Sequence, residues 1–325
     1  MISKKKKPKI SLFLPIYNKE KYILKCIKNL QRQTLKDIEI IAINDHSTDG
    51  SLKILMDLAK KDDRIKIINN DKNRGLLYSR AMGILKSTGE YLMNIDPDDE
   101  IKGKNTLEYL YNKSIISKPD IITFNIIYKK TNYINKCEEI NETLNQPKLF
   151  ESMFFNNSII KDFLIWNKLI KKEIFLKAYK FFEEYIFNGK WNYHEDNIWS
   201  ILVHRYAESK LCVDKLVYIY NSYNESLINN RFNAIEFQNL IYLHEMYKKI
   251  FTLKTDEKYL IAEYFTLFNY LETQMNKFLL INDNKMKQYF VNSLYYFINH
   301  YNCTLKKQRY IKKIISLIYK EYIEK

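Results

Sequence analysis

The chain has 325 residues, 46% of them hydrophobic, enough apolar material for one large domain with an appendage or for two domains. A formal net charge of +15 and a pI near 9.3 favour a partner that carries negative charge, whether nucleic acid, an anionic membrane surface or a phosphorylated small molecule. Cys26, Cys137, Cys212 and Cys303 lie far apart, which argues against a zinc knuckle and a small disulfide framework and predicts the reduced thiols of a cytosolic protein.

Only 6 Gly and 5 Pro beside many Lys, Asn, Ile and Tyr fit the codon bias of an AT-rich genome, so part of the basicity carries no functional message. The basic segment Met1 to Lys9 runs into Ile10-Ser11-Leu12-Phe13-Leu14-Pro15, too short for the apolar core of a signal peptide. No apolar run approaches about 18 residues, so no membrane span is expected.

Ile10 to Leu14 is a short apolar run closed by Pro15, and apolar residues at helical spacing from Lys19 to Gln33 predict a helix after it. The pattern repeats. Ile38 to Ile43 reads as a strand, Asn44 to Gly50 as a turn and Ser51 to about Lys61 as a helix. Ile65 to Ile68, Gly75 to Lys86 and Tyr91 to Ile95 extend the alternation to a third helix and a fourth strand. Such short alternation implies a parallel, doubly wound α/β sheet whose strand C-termini share one edge, where ligands bind.

Past Asp99, a helix is expected from Lys104 to Ser117 and a strand from Ile121 to Ile127, followed by loop or irregular strand from Lys129 to Gln146. Glu195 to Tyr206 reads as an amphipathic helix and Val213 to Tyr220 as a strand. Beyond about Ser226 long helical patterns take over, ending in a basic segment, 306–325.

The fourth strand ends in Asp96-Pro97-Asp98-Asp99, where Pro97 lacks the amide needed to continue a ladder. Carboxylates so crowded need water or a cation to neutralise them, and hard oxygens at a strand end suit Mg²⁺ or Mn²⁺ with substrate phosphates completing the shell. A solvated acidic turn is the competing reading of this segment alone. Asp45, at the end of the second strand, is placed to accept a hydrogen bond from a nucleobase or, equally, to shape a turn or cap the next helix. Tyr17 is placed to stack on a base while Asn18 and Glu20 orient their loop. Asn73-Arg74-Gly75 precedes the third helix, where amides with Arg74 or Arg80 can meet a diphosphate.

Together, Leu14-Pro15-Ile16-Tyr17-Asn18, Asn44 to Ser51, Asn73-Arg74-Gly75 with Ser79-Arg80-Ala81, and Asn94 to Asp99 resemble the successive blocks of the family 2 glycosyltransferases. The resemblance is strong from Ile10 to about Ile101, fair through Trp166-Asn167-Lys168 and His194-Glu195-Asp196, and absent beyond Ser226. It implies a GT-A fold, that is, a Rossmann-like, mostly parallel sheet flanked by helices. Here 1–101 forms the nucleotide-sugar half, 102–225 the acceptor-side half, and 226–325 a C-terminal α-helical region.

It also implies a nucleotide-sugar donor, a UDP-sugar being favoured, and Mn²⁺ or Mg²⁺. Carried across by position, Pro15, Tyr17, Glu20, Asp45, Asn73, Arg80 and Asp96 resemble donor contacts, and Asp96 with Asp98 resembles the metal-associated DxD pair. Glu195 and Asp196 match the family's acidic pair, with Asp196 the expected general base and His194 a weaker substitute; capping of the helix by its first-turn acids is the structural alternative. Pro97 between the acids and the absence of Asn after Ala81 depart from the usual pattern and bear on the donor sugar.

The resemblance implies inverting transfer to a glycan or lipid-linked acceptor in the synthesis of surface polysaccharide, capsule or lipopolysaccharide, at a cytoplasmic location. Residues 306–325 offer peripheral contact with the inner face of the membrane, or simply pack on their own domain. A non-catalytic nucleotide-sugar or carbohydrate binding module on the same fold is the alternative. A nucleotidyltransferase is disfavoured by the missing glycine-rich loop, and no motif supports a nucleic-acid partner.

Overall fold

The computed structural model describes residues 7–137, 144–145, 164–187 and 195–221. The chain divides into two compact units, Met1–Ser226 and Leu227–Lys325, and all the described residues belong to the first. His194, the expected helices beyond Ser226 and the basic tail lie outside the described residues. Among the described residues no helix is long and apolar enough to cross a membrane.

The order is β1 (Ile10–Ile16), α1 (Glu20–Gln31), β2 (Ile38–Asn44), α2 (Ser51–Ala59), β3 (Ile65–Asn69), α3 (Leu76–Lys86), β4 (Tyr91–Asn94), β5 (Glu100–Ile101), α4 (Thr106–Ser117), β6 (Ile121–Tyr128), β7 (Tyr133–Asn135), β8 (Leu144–Asn145), β9 (Lys168–Lys171), α5 (Lys172–Phe187), α6 (Glu195–Tyr206) and β10 (Ser209–Tyr220). The strands form one sheet in the order β3-β2-β1-β4-β9-β6-β10-β5, with β7 beside β6 and β8 beside β10.

The alternation expected over the first hundred residues is present, with β1 parallel to both β2 and β4 and β2 parallel to β3. β9 then enters antiparallel between β4 and β6. Because β9 opposes both neighbours and β10 is parallel to β6, β1, β2, β3, β4, β6 and β10 all run in one direction. Their C-terminal ends therefore share an edge, which gathers the loops after β1, β2, β4, β6 and β10. Trp166-Asn167-Lys168 is the entry into the reversed strand, and the stretch left open between Lys129 and Gln146 carries β7 and β8.

Pro15 does not end β1, which continues to Ile16. The Ile16 carbonyl accepts from Asp45 N–H on the β2 side, so Pro15 faces the β4 side, where pairing stops at Phe13 opposite Asn94. Its missing amide has no partner strand there, which makes proline tolerable in the middle of a sheet.

β1 and β2 are buried along their whole length because both faces are covered. Ile10, Leu12, Leu14 and Ile16 share a core with Ile23, Cys26, Ile27 and Leu30 of α1, whose spacing makes one apolar helix face. Phe13 points the other way, against Phe175 of α5 with the rings edge-on at 5.9 Å. α3 crosses β1 and β2 on that second face. Gly83 makes this approach possible, since a Cβ there would lie 2.9 Å from the Phe13 side chain and 3.0 Å from Ile43.

Helix propensity alone favours Gly83→Ala by about 1 kcal/mol, whereas overpacking a filled core costs about 1–3 kcal/mol. Phe13 is backed by the Phe175 ring, so Gly83→Ala is expected to destabilise the unit by up to about 2 kcal/mol. A lowered urea midpoint with unchanged slope checks this; a raised midpoint would mean that α3 lifts off freely.

Candidate active site

The sheet edge begins with two interlocked loops. Asn18 and His46 adopt left-handed backbone at φ 50 and 58, a conformation that Asn and His tolerate better than most side chains. Asn18 N–H donates to Ser47 Oγ at 3.0 Å, and Thr48 N–H donates to Asn18 Oδ1 at 2.8 Å. Gly50 N–H donates to Glu20 Oε2 at 2.6 Å, and Lys19 N–H to Ser51 Oγ at 2.9 Å. Glu20 thus orients the loop that opens α2, and Tyr17 stands exposed at its rim.

Asp45 is buried. Its Oδ1 accepts from Asn70 Nδ2 and from Arg74 N–H, and its Oδ2 from Gly75 N–H, each at 2.8 Å. Of the two readings open for Asp45, this geometry supplies the turn-shaping one: the carboxylate fixes the segment entering α3, where Gly75 takes φ 89. Three of about four acceptor positions are spent, leaving one on Oδ2 toward a ligand. In the same segment, Asn73 Oδ1 is buried without a hydrogen-bond partner among the described residues.

At the end of β4 the acids are separated by what neutralises them. Asp99 N–H donates to Asp96 O at 2.9 Å, closing a turn around Pro97. Asp98 Oδ2 takes the Lys19 ammonium at 2.5 Å. Asp96 Oδ1 accepts from Asn94 Nδ2 at 3.0 Å and lies 3.5 Å from Arg80 Nη2. Asp99 is buried; its Oδ1 accepts from Asn221 N–H at 2.7 Å and its Oδ2 has no partner among the described residues. Burial, with the charges of Asp96 and Asp98, pushes its carboxyl up to about 9.

Arg80 joins this turn to α6. Only 2% of its side chain is exposed. Nε donates to Asn94 Oδ1 at 3.1 Å, and Nη1 donates to Glu195 Oε1 at 2.6 Å and to Asp196 Oδ1. Burial works against this charge, yet Asp196, Glu195 and Asp96 hold the guanidinium above its ordinary range. Arg80, expected as a nucleotide contact, is turned inward by the surrounding acids and organises their cluster.

The acidic pair is unequal. Glu195 is 4% exposed with Oε2 unpartnered among the described residues, and burial pushes its carboxyl up to about 7 despite Arg80. The Asp196 side chain is 23% exposed, open enough to meet a substrate. Burial raises its carboxyl, Asp96 adds to that, and Arg80 and Lys168 oppose it. Lys168 is fully buried, donating to Leu164 O at 2.5 Å and Asn167 Oδ1 at 2.7 Å.

The divalent cation implied by the family resemblance finds suitable donors here. Asp96 and Asp98 offer hard oxygens at the edge, and the unpartnered Asp99 Oδ2 lies in the same turn. Among the described residues no three His, Cys, Asp or Glu side chains are grouped to hold a metal ion by themselves. Sequence reasoning missed Lys19 opposite Asp98 and Asn221 behind Asp99, separated from them by 79 and 122 positions. It also missed Tyr218, whose hydroxyl accepts from Asp96 N–H at 3.1 Å.

Comparison with known proteins places this geometry in context. Residues 11–177 match the model of "Glycosyl transferase family 2". An uncharacterized glycosyltransferase of Bacillus subtilis, EpsJ, is 32% identical over 224 residues, 68% of this chain and 63% of that protein, so the chain spans under two thirds of this relative. A GalNAc(5)-diNAcBac-PP-undecaprenol beta-1,3-glucosyltransferase of Campylobacter jejuni is 28% identical over 179 residues, 52% of this chain and 56% of that protein. Among solved structures, TarS 1-349 of S. aureus in complex with UDP superposes with a TM-score of 0.70 at 19% identity, covering 97% of this chain and 88% of that one. With the matched segment spanning half of its length, the chain belongs to glycosyl transferase family 2.

Proposed function

We propose that the chain is an inverting glycosyltransferase that moves a sugar from a UDP-sugar to a hydroxyl of a glycan or lipid-linked acceptor, in the synthesis of a surface polysaccharide or glycoconjugate. The observation that carries this reading is the Arg80 guanidinium, bonded at once to Asp96 of the strand-end turn and to Glu195 and Asp196 of α6. Acids for the donor and for the acceptor thereby sit in one cluster at the sheet edge.

Asp196 takes the proton from the acceptor hydroxyl. The freed oxygen attacks the anomeric carbon from the face opposite the diphosphate, and the bonding pair leaves with that diphosphate. Burial supports this role by making the Asp196 carboxylate a better proton acceptor than an exposed aspartate, while Arg80 keeps it oriented. Asp96 and Asp98 would hold Mn²⁺ or Mg²⁺, which supplies charge stabilisation to the departing diphosphate when bound. The exposed Tyr17 is placed for the base, with Asp45, Asn73 and Gly75 lining the approach to α3.

The UDP in the TarS structure supports uridine as the base, and the undecaprenol-linked substrate in the name of the Campylobacter relative supports a lipid-linked acceptor. Action on the cytoplasmic side fits such an acceptor, with the basic segment 306–325 as its membrane contact.

Calorimetric titration with UDP and with GDP, each with Mn²⁺ and with chelator, is expected to give metal-dependent binding of UDP over GDP. Asp98→Ala should abolish the metal dependence, whereas Asp196→Asn should keep UDP binding and lose turnover by about 10²-fold or more. Normal turnover in Asp196→Asn would remove it as the base.

Glu195 also ties the cluster to pH. Its carboxyl is raised from 4.5 to about 7, so between these values the folded chain keeps a proton that the unfolded chain has released. Its contribution to stability is full below about pH 4.5 and is lost as pH rises through about 7. Glu195→Gln keeps an acceptor for Arg80 and removes this titration. Its thermal midpoint should fall less than that of wild type across this window, and parallel curves for the two would refute the assignment.

A further inference from the structure

Tyr128 ends β6 and Tyr220 ends β10. Both strands run in the direction of β4, so both residues stand at the edge that carries Asp96 and Asp98. Their rings belong to a continuous run. Tyr133 lies 6.0 Å from Tyr128 with 35° between planes, Tyr128 meets Tyr220 edge-on at 5.3 Å and 61°, and Tyr220 stacks on Trp166 at 5.2 Å with 14° between planes. Trp166 lies 4.9 Å from Tyr218, whose hydroxyl accepts from Asp96 N–H. The run thus leads from the acid turn outward.

Exposure changes along it. Tyr218 and Trp166 are buried, Tyr220 and Tyr128 are half-buried, and Tyr133 is 55% exposed. At the inner end, Asn221 donates through Nδ2 to Asp98 O at 2.9 Å. It is 6% exposed, and its Oδ1 has no hydrogen-bond partner among the described residues.

We infer that Tyr133, Tyr128 and Tyr220 form a ledge on which hexopyranose rings of the acceptor glycan lie, with Asn221 Oδ1 accepting from a sugar hydroxyl at the end nearest the reacting bond. The inference rests on the glycosyltransferase reading above. A pyranose presents an apolar face of C–H groups inside a rim of hydroxyls, which suits flat rings flanked by a few polar groups. The donor does not compete for this place. In the strand order β3-β2-β1-β4-β9-β6-β10, the loops of Asn18, Asp45 and Gly75 flank β1 to β3, whereas the ledge lies across β6 and β10.

The test is to probe the full chain on an array of neutral and acidic hexopyranose oligosaccharides and to titrate the best-bound tetrasaccharide into wild type, Tyr133→Ala, Tyr133→Phe and Tyr128→Ala, with UDP titrated in parallel. Tyr133→Ala and Tyr128→Ala should bind the tetrasaccharide about fivefold more weakly or worse, Tyr133→Phe should match wild type, and UDP binding should be the same in all four. Tyr133 is exposed, so its variants are expected to fold. A wild-type chain that binds UDP but no oligosaccharide, or oligosaccharide binding that both alanine variants leave unchanged, overturns the ledge and leaves the donor reading standing. Failure of the wild type to bind UDP overturns the reading on which the ledge rests.

Discussion

Crowded carboxylates at the end of β4 are the constraint to which the rest of the site answers. Asp96, Asp98 and Asp99 cannot all carry charge side by side in a partly dry environment without neutralisation. Each is treated differently: Lys19 meets Asp98, Arg80 and Asn94 meet Asp96, and Asp99 is buried with its carboxyl pushed up to about 9. The partners are Lys19 just before α1, Arg80 of α3, Asn94 of β4 and, for Asp99, Asn221 just after β10, so four segments of the domain meet at one turn.

Arg80 extends that logic across the sheet. A buried guanidinium with four polar side chains around it costs solvation that only a full set of partners recovers. Removing Arg80 would leave three acids, Asp96, Glu195 and Asp196, to repel one another in a largely buried cluster. Packing supports the arrangement from behind, since Phe13, Phe175, Gly83 and Trp199 fix α3, α5 and α6 on the same face of the sheet.

The sequence made the first four strands legible because each is a short apolar run ended by turn residues, and in β1 and β2 burial on both faces removes any alternation that could confuse the reading. The helix at Glu195–Tyr206 was legible from its apolar spacing. Other features depend on tertiary pairing and leave no local trace. Pro15 read as a strand end because nothing nearby says that β4 stops short of it. The reversed strand β9 was hidden for a similar reason, since four residues are too few for a period. In the site, the block around Arg80 identified the residue but not the direction of its side chain, which is set by acids more than 110 positions away. Asp45 stayed balanced between base contact and turn because its partners, Asn70, Arg74 and Gly75, lie 25 to 30 positions on.

The guanidinium of Arg80 also imposes an order of events at the ribosome. It emerges 115 residues before Glu195, with Asn94 and Asp96 the first of its partners to follow. Until α6 is made and docks, Arg80 lacks two of its three acidic partners, so the nascent sheet edge cannot hold the guanidinium as the finished domain does. Completion of the cluster therefore waits on α6, although the first four strands precede it in the chain.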